Sequence, residues 1–551
     1  MHAHAQLVAS GLAFSYGPRS ILRDISLSLA PGDRVGIVGP NGTGKSTLLR
    51  LLAAELDPEL GTVAANPSAA TVGLMRQQLD DQPDETVGAF ISRSTGVGAV
   101  LAEFEASLVD VAEGAAGSDE RYDTALSRYL ATDASSFAAR TGQAMDEVGL
   151  QGVELTDKVA ELSGGQRTKV NLAAMLLASF DVLLLDEPTN DLDQAGLDLL
   201  ESMLVSQERA IAVVSHDRTF LERVITSVYE LEDHAHTGKR FNGGFEAWQH
   251  ARDVARQQHY DAYDEFNTKR SQLQARAQTQ QQWSAAGVRK AKTDKSEPDK
   301  NIKAHRIATS EKVAGKAKQT ERALERLERN ERVEAPWEPW ELHLDFATAE
   351  RSGTDVAALH AATVRLGEFT LGPVDVAVTA GDRIMITGEN GSGKTTLLRA
   401  LFGEVELDSG SVQLGRSVQV STPRQQRKLF ADAPSLLRGF TDVVGCDDQV
   451  ARSQLAKLGL DTQRIDRPVA DLSPGEQTRA ALGLFAVRGS NVLVLDEPTN
   501  HLDLPAIEQL EAALQAFPHT VLLVTHDRRL LEAVTTNRHW HVEHGQLVER
   551  R

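Results

Sequence analysis

Apolar residues in this chain gather in short runs, and the runs come in two sets. Val35 to Val38 and Val182 to Leu185 lie in the first half, Ile384 to Ile386 and Val492 to Leu495 in the second. Runs of that length, bounded by glycines or acids, read as buried strands. Val35 to Val38 and Ile384 to Ile386 each lead through a glycine-rich turn into a helix-like stretch, Leu48 to Leu52 and Leu397 to Leu401. An α/β fold is expected in both halves. From about Gly244 to Glu334 the pattern changes to a polar, Gln-rich and basic one. Tyr260, Tyr263 and Phe266 recur there at helical spacing, as do Ala323, Leu324 and Leu327 farther on. Gly287, Asp294, Ser296 and Pro298 interrupt the pattern, so two long antiparallel helices joined by a loop are expected. The first, from about Glu246 to Trp283, would measure roughly 55 Å at 1.5 Å per residue. No window approaches the roughly 18 to 20 apolar residues of a membrane-spanning helix.

The two halves repeat one another. Gly39-Pro40-Asn41-Gly42-Thr43-Gly44-Lys45-Ser46-Thr47 returns as Gly388-Glu389-Asn390-Gly391-Ser392-Gly393-Lys394-Thr395-Thr396. Leu162-Ser163-Gly164-Gly165-Gln166 returns as Leu472-Ser473-Pro474-Gly475-Glu476, and Leu185-Asp186-Glu187-Pro188 as Leu495-Asp496-Glu497-Pro498. Ser215-His216-Asp217-Arg218 returns as Thr525-His526-Asp527-Arg528. Lys45 and Lys394 are 349 positions apart, whereas Ser163 and Ser473, like His216 and His526, are 310 apart. The first copy therefore carries roughly 39 extra residues between these motifs, and the acidic helical stretch at about 98–130 is the expected insertion. The resulting division is a first domain over 1–243, a helical linker over 244–334 and a second domain over 335–551.

Both glycine loops fit the Gly-x-x-x-x-Gly-Lys-Ser/Thr pattern in a strand–loop–helix setting. Backbone amides at Gly39, Asn41, Gly42 and Gly44, and at Gly388, Asn390, Gly391 and Gly393, can converge on phosphate oxygens at a helix N-terminus. Lys45 and Lys394 should reach the β- and γ-phosphates of ATP, with Ser46 and Thr395 ligating magnesium and Thr47 and Thr396 following them. Asp186 and Asp496 end apolar strands where they can hold the magnesium through water, and Glu187 and Glu497 are placed to polarise the attacking water.

The order of these motifs resembles that of ATP-binding-cassette domains, the P-loop NTPase fold, and it occurs twice. The resemblance implies a head-to-tail sandwich, with Lys45 facing Ser473, Gly475 and Glu476, and Lys394 facing Ser163, Gly164, Gly165 and Gln166. It implies that Gln77 and Gln425 sense magnesium and the attacking water, that His216 and His526 contact the γ-phosphate, and that Tyr16 stacks on adenine. Leu366 falls nearest to the place of Tyr16 in the second copy, and Pro474 lacks the backbone donor that Gly164 keeps.

Two cassettes on one chain, Asp-Glu-Pro-Thr-Asn in both, and a long charged linker resemble the ABC-F family. Asn190-Asp191-Leu192-Asp193 and Asn500-His501-Leu502-Asp503 fit that family's loop, the first with Asp191 where His is usual. Membership implies ATP-dependent binding at the ribosomal tRNA exit site, with the linker reaching towards rRNA and tRNA. The linker and modest insertion are more like those of antibiotic-protection members than of general translation factors. The energy-supplying subunit of a separate exporter stays open as an alternative.

Charge alters this picture locally. The chain carries a net −20, which by itself argues against nucleic acid. Yet Arg289 to Lys318 holds ten Lys/Arg against four acids. Arg289, Lys290, Lys292, Lys295, Lys300, Lys303 and Arg306 are the expected RNA contacts. A single cysteine, Cys446, and an N-terminus without a basic-then-apolar leader suit a reducing cytosol. The chain ends at Arg551 soon after the last motif, so no C-terminal coiled coil is expected. Pairing of the two copies within one chain implies a monomer.

Overall fold

The apolar runs become the centres of two sheets. A computed structural model describes the chain except residues 1–4, 77–83, 179, 191, 233–234, 294–299, 331, 334–354, 368, 417, 422–432, 459, 461, 473–475, 478, 482, 485–489, 500–501 and 551. In the first cassette the hairpin β1 (Gln6–Tyr16) and β2 (Arg19–Leu29) precedes β3 (Arg34–Val38), the glycine loop and α1 (Lys45–Leu52). There follow β4 (Leu60–Asn66), β5 (Val72–Arg76), α2 (Val87–Ser94), α3 (Val97–Glu113), α4 (Ser118–Ala131), α5 (Phe137–Glu147) and α6 (Gly164–Leu177). The cassette closes with β6 (Val182–Asp186), α7 (Gln194–Ser206), β7 (Ala210–Val214), α8 (Arg218–Val224), β8 (Ser227–Leu231) and β9 (Gly238–Asn242). Strand order β5-β6-β7-β3-β8-β9 is parallel except at β9, and β2-β1-β4 forms a separate antiparallel sheet. The central strands are buried on both faces, as their unbroken Val/Leu/Ile content requires of a covered parallel sheet.

The insertion is a helical hairpin. In α3 and α4, Phe104 stacks on Tyr129 at 4.4 Å, and Arg128 pairs with Glu103 and Arg121 with Asp110 at 2.8 Å each. It has no counterpart among the described residues of the second cassette.

α9 (Phe245–Thr293) and α10 (Lys300–Asn330) form the linker. Helix α9 runs roughly 70 Å at 1.5 Å per residue, longer than expected, because it continues through Gly287. One glycine inside a helix costs only about 1 kcal/mol, too little to end a helix that its neighbours favour. Arg270 pairs with Glu328 at 2.9 Å and Thr320 donates to Gln280 at 2.9 Å, so residue numbers rise on one helix as they fall on the other. The helices are antiparallel. Their seam uses Phe266, Leu273 and Ala277, at steps of seven and four, against Ala317, Thr320, Leu324 and Leu327, which alternate three- and four-residue steps as in a coiled coil. Of the expected stripe, Leu324 and Leu327 face the seam while Ala323 is exposed, and Ala317 and Thr320 extend the stripe towards the N-terminus of α10.

The second cassette repeats the first. Its β10 (Asp355–Leu366), β11 (Phe369–Thr379), β12 (Arg383–Thr387), α11 (Lys394–Leu401), β13 (Ser409–Leu414) and β14 (Val420–Ser421) lead into α12 (Leu436–Val444), α13 (Asp448–Lys457) and α14 (Thr462–Ile465). Then come β15 (Val492–Asp496), α15 (Leu504–Ala516), β16 (Thr520–Val524), α16 (Arg528–Ala533), β17 (Arg538–Glu543) and β18 (Gln546–Arg550). Strand order is β14-β15-β16-β12-β17-β18, matching the first sheet position by position. Both cassettes belong to one compact unit, Met1–Phe245 with Trp340–Arg551, and Glu246–Pro339 forms another.

Candidate functional site

Each glycine loop turns at the C-terminal end of a central strand, where α/β sheets place their ligands. Gly44 and Gly393, which begin α1 and α11, have φ of +96° and +106°. A Cβ would stand 2.6 Å from the Ile21 side chain at the first and 2.6 Å from the Phe369 ring at the second, so only glycine fits. The loops thereby curl round their lysines. Lys45 Nζ donates to the carbonyls of Gly39 at 2.8 Å and Pro40 at 3.2 Å, and Lys394 Nζ to those of Gly388 at 2.7 Å and Glu389 at 2.9 Å. Burial lowers both ammonium pKa values, against the pull of nearby acids.

The hydroxyls after the lysines meet the first acid of each strand end. Ser46 hydrogen-bonds Asp186, and Thr395 Oγ1 donates to Asp496 Oδ2 at 2.8 Å. Asp186 Oδ1 is buried without a hydrogen-bond partner. One hydroxyl and one carboxylate per pocket are oxygen donors of the kind that would suit a magnesium ion bound together with phosphate. No cluster of three His, Cys, Asp or Glu that could hold a metal alone occurs among the described residues.

Beside them stand the second acids. Glu187 and Glu497 take left-handed backbone angles, φ +52° and +47°, an unusual state for a residue with a side chain. Their amides are anchored to the neighbouring strands, Glu187 N to Val214 O and Glu497 N to Val524 O at 2.9 Å each. The turn swings both carboxylates towards the histidines. His216 Nε2 lies 3.1 Å from Glu187 Oε1, and His526 Nε2 3.5 Å from Glu497 Oε1. Burial pushes the Glu187 pKa up to about 7 against Lys45, while burial and Lys394 push His526 down to about 4 and leave it neutral.

The cassettes also complete one another. Gly165 brings its backbone to Asn390: a Cβ there would sit 3.8 Å from the Asn390 Cβ. A cavity of about 440 Å³ is lined by Gly164 and Gly165 of the first cassette and by Asn390, Gly391, Glu497 and His526 of the second. Ser163 accepts from Gln166 N at 3.3 Å and donates its own amide to Gln166 Oε1 at 2.9 Å, a capping box that fixes the start of α6. In the second cassette Glu476 pairs with Arg464 at 2.9 Å. Gln77, Gln425, Ser473 and Gly475 lie outside the described residues, as does Pro474.

Tyr16 is half exposed, edge-on to Phe14 at 5.0 Å, with its hydroxyl accepting from Arg50 at 3.3 Å. Leu366 is exposed at the matching end of β10. Thr47 is buried behind its loop and Thr396 partly so. Of the basic linker residues, Arg289, Lys312, Lys316 and Lys318 are exposed. Lys290 and Lys292 lie on α9, Lys300, Lys303 and Arg306 on α10, and Lys295 lies outside the described residues.

Two site residues escaped the sequence reading. Asp193 and Asp503 each cap a helix with one oxygen and reach across with the other. Asp193 Oδ1 accepts from Gly196 N at 3.0 Å and its Oδ2 from Asn390 N at 3.4 Å; Asp503 Oδ1 accepts from Ala506 N at 3.2 Å and its Oδ2 from Asn41 N at 3.1 Å. The available signal was an aspartate just before an apolar helix in both copies.

Asp217 sits at the same junction, accepting from Phe220 N at 2.9 Å. Burial raises its pKa from 3.8 to about 6. The folded chain thus holds this proton more tightly than the unfolded one. The resulting penalty is absent at acid pH, grows as pH rises from about 4 to 6, and reaches on the order of 3 kcal/mol at neutrality. Asp217→Asn keeps the cap without the charge. It is expected to raise the first calorimetric unfolding transition at pH 7.5, with a gain that shrinks as pH falls towards 4; a gain independent of pH would contradict this.

The sequence matches the ABC transporter family over residues 22–190 and 371–500. It is 32% identical to the tylosin resistance ATP-binding protein TlrC of Streptomyces fradiae, covering 96% of each chain. It is 31% identical to the energy-dependent translational throttle protein EttA of Mycobacterium tuberculosis, over 95% of this chain and 89% of that one. Among solved structures it resembles the archaeal ribosome recycling factor aABCE1, crystallised with the stalk protein aP1: TM-score 0.56, 18% identity, 96% of this chain and 87% of the other. That likeness speaks for the fold alone. The chain belongs to the ATP-binding-cassette family and, within it, to the ABC-F group. Cassettes of this family bind ATP. No helix among the described residues is long and apolar enough to cross a membrane.

Proposed function

We propose that the chain hydrolyses ATP in two composite pockets and couples the cycle to action on the ribosome near the tRNA exit site, protecting it from antibiotics or relieving stalled translation. The observation that carries the reading is the cavity in which Gly164 and Gly165 face Asn390 and Gly391, a pocket neither cassette builds alone. In it Lys394 holds the β- and γ-phosphates, and Lys45 does so in the other pocket. Glu187 and Glu497 take the proton of the attacking water, with His216 and His526 on the γ-phosphate and Gln77 and Gln425 orienting the water. Ser46 with Asp186, and Thr395 with Asp496, would hold magnesium, which would supply neutralisation of the charge that develops in phosphoryl transfer. Catalysis of this kind is mostly positioning, so closing the cassettes on ATP is what assembles the site.

The excess of bases between Arg289 and Lys318 supports an RNA partner for the hairpin, and the likeness to a tylosin resistance protein and to a translational throttle protein supports resistance and translation as its setting. The test is a susceptibility panel of ribosome-targeting antibiotics, tylosin first, in cells with and without the protein. Ribosome sedimentation of the Glu187→Gln/Glu497→Gln chain in ATP accompanies it. Lowered susceptibility with ATP-dependent co-sedimentation is expected. Co-sedimentation without a change in susceptibility would favour a general translation factor, which the EttA likeness makes the second reading. Failure to co-sediment, with recovery of a membrane partner instead, would overturn the ribosomal assignment.

A further inference from the structure

Beyond the contacts at the glycine loops, the two arginines that follow the histidines, Arg528 and Arg218, reach across between the cassettes, and their surroundings are not alike. Arg528 opens α16 directly after His526 and Asp527. Its guanidinium spreads over one face of α7 in the first cassette. Nε donates to Gln194 Oε1 at 3.0 Å, Nη2 to Asp198 Oδ1 at 2.6 Å and Nη1 to Glu201 Oε1 at 2.9 Å. Arg223 of the first cassette closes on the other oxygen of Glu201 at 2.9 Å. The Arg528 and Glu201 side chains are only 13% and 10% exposed, so water screens the pair weakly.

The counterpart is Arg218, which follows His216 and Asp217 and turns to α15 of the second cassette. It is buried as well, but its nearest partners are the Leu504 carbonyl at 3.4 Å, Glu511 at 3.6 Å and Glu508 at 3.7 Å. Distances beyond 3.5 Å are ion pairs rather than hydrogen bonds. The position matching Arg223 is Ala533, so the arginine that braces Glu201 has no equivalent there; Arg529, whose charge reaches Glu511, donates to Glu222 of the first cassette instead.

The consequence follows from what α7 carries. Its first turn is capped by Asp193, whose free oxygen holds the Asn390 amide in the glycine loop of the Lys394 pocket. Arg528 grips the same helix from the segment that bears His526 of that pocket. Two walls of one pocket, the loop and the histidine, are thus tied to a single helix of the opposite cassette. The Lys45 pocket has the same plan through Asp503 and Arg218, with a looser tie.

The geometry points to Arg528 as a positioning residue that clamps the Lys394 pocket shut, so that this pocket releases nucleotide more slowly than the Lys45 pocket. This rests on both pockets being ATP sites. Three short charge-assisted contacts from one planar guanidinium form a strong, directional tie, and lysine cannot reproduce the fork. The unequal arginine clusters place the asymmetry in the cassette interface, in addition to any difference at Tyr16 or Pro474.

The experiment is release of mant-ATP followed by stopped flow in full-length chains that keep one pocket, Lys45→Ala or Lys394→Ala, with both glutamates replaced by glutamine. The Lys394 pocket is expected to release more slowly. Arg528→Ala should speed that release on the order of tenfold, the value of a lost charge-assisted bond, and leave the Lys45 pocket within about twofold. Arg528→Lys should not restore slow release. Arg218→Ala should speed the Lys45 pocket by less than Arg528→Ala speeds the other. Equal acceleration of both pockets marks general loosening of the fold and overturns the proposal, as does no change at the Lys394 pocket. If the single-pocket chains bind no mant-ATP at all, the reading of the pockets as ATP sites falls, and the clamp with it.

Discussion

Replacing both Glu187 and Glu497 with glutamine is expected to lower ATP turnover by about 10²- to 10⁴-fold, the usual worth of a positioned base, while nucleotide still binds. The backbone at both positions is left-handed, and glutamine matches glutamate in shape, so the turn and its strand anchors survive the exchange. What is lost is basicity next to the lysine and the histidine. Glu187, with its pKa pushed up to about 7, is half charged near neutral pH in the absence of ligands, well suited to accept a proton. A single Glu187→Gln change leaves the Lys394 pocket intact, so turnover should fall by roughly half where the pockets act independently, and by much more where one cycle needs both. Phosphate release paired with filter retention of labelled ATP measures the two quantities together. Turnover that persists at the unaltered rate in the double variant removes these carboxylates from catalysis.

A second large effect is expected from the hairpin. Neutralising Lys290, Lys292 and Lys295 should weaken ribosome association and flatten its salt dependence. Each lost phosphate contact removes about 0.7 to 0.9 from the slope of log K against log salt, so three should remove about 2 to 3. Nucleotide affinity should not move, because these residues belong to the linker while the phosphate loops belong to the cassettes. Sedimentation over a potassium chloride series, with ATP binding measured alongside, checks both. Equal loss of ribosome and ATP binding would point to damage of the fold instead.

Much of the architecture was legible because it is written twice. A glycine loop after an apolar strand, or an acidic pair ending one, is a local pattern whose geometry follows from neighbouring residues, and recurrence in the same order fixes the fold. The hairpin was legible as two helices, but the first of them runs ten residues past the expected end at about Trp283, to Thr293. Gly287 looks like a breaker, yet a helix of 49 residues absorbs it. The stripe on α10 was shifted for a related reason: Ala323 and Leu324 are neighbours in sequence, but only the partner helix decides which of them faces the seam. Contacts between cassettes were the least legible. Asp193 meets a residue 197 positions away and Arg528 one 330 positions away, and no periodicity within a segment announces such a meeting. The left-handed angles of Glu187 and Glu497 were equally hidden, since they arise from anchoring to the next strand.

The double service of Asp193 and Asp503 depends on simple valence. A carboxylate has two oxygens, and here one faces its own helix while the other faces the opposite cassette. An asparagine would offer a single oxygen to the same two amides, and its NH₂ would point a donor at whichever amide lost. At these positions the most conservative replacement therefore sets helix capping and cross-cassette attachment in competition for one atom. Two properties that look independent on paper, the integrity of a helix end and the docking of two domains, are in this chain a single indivisible trait.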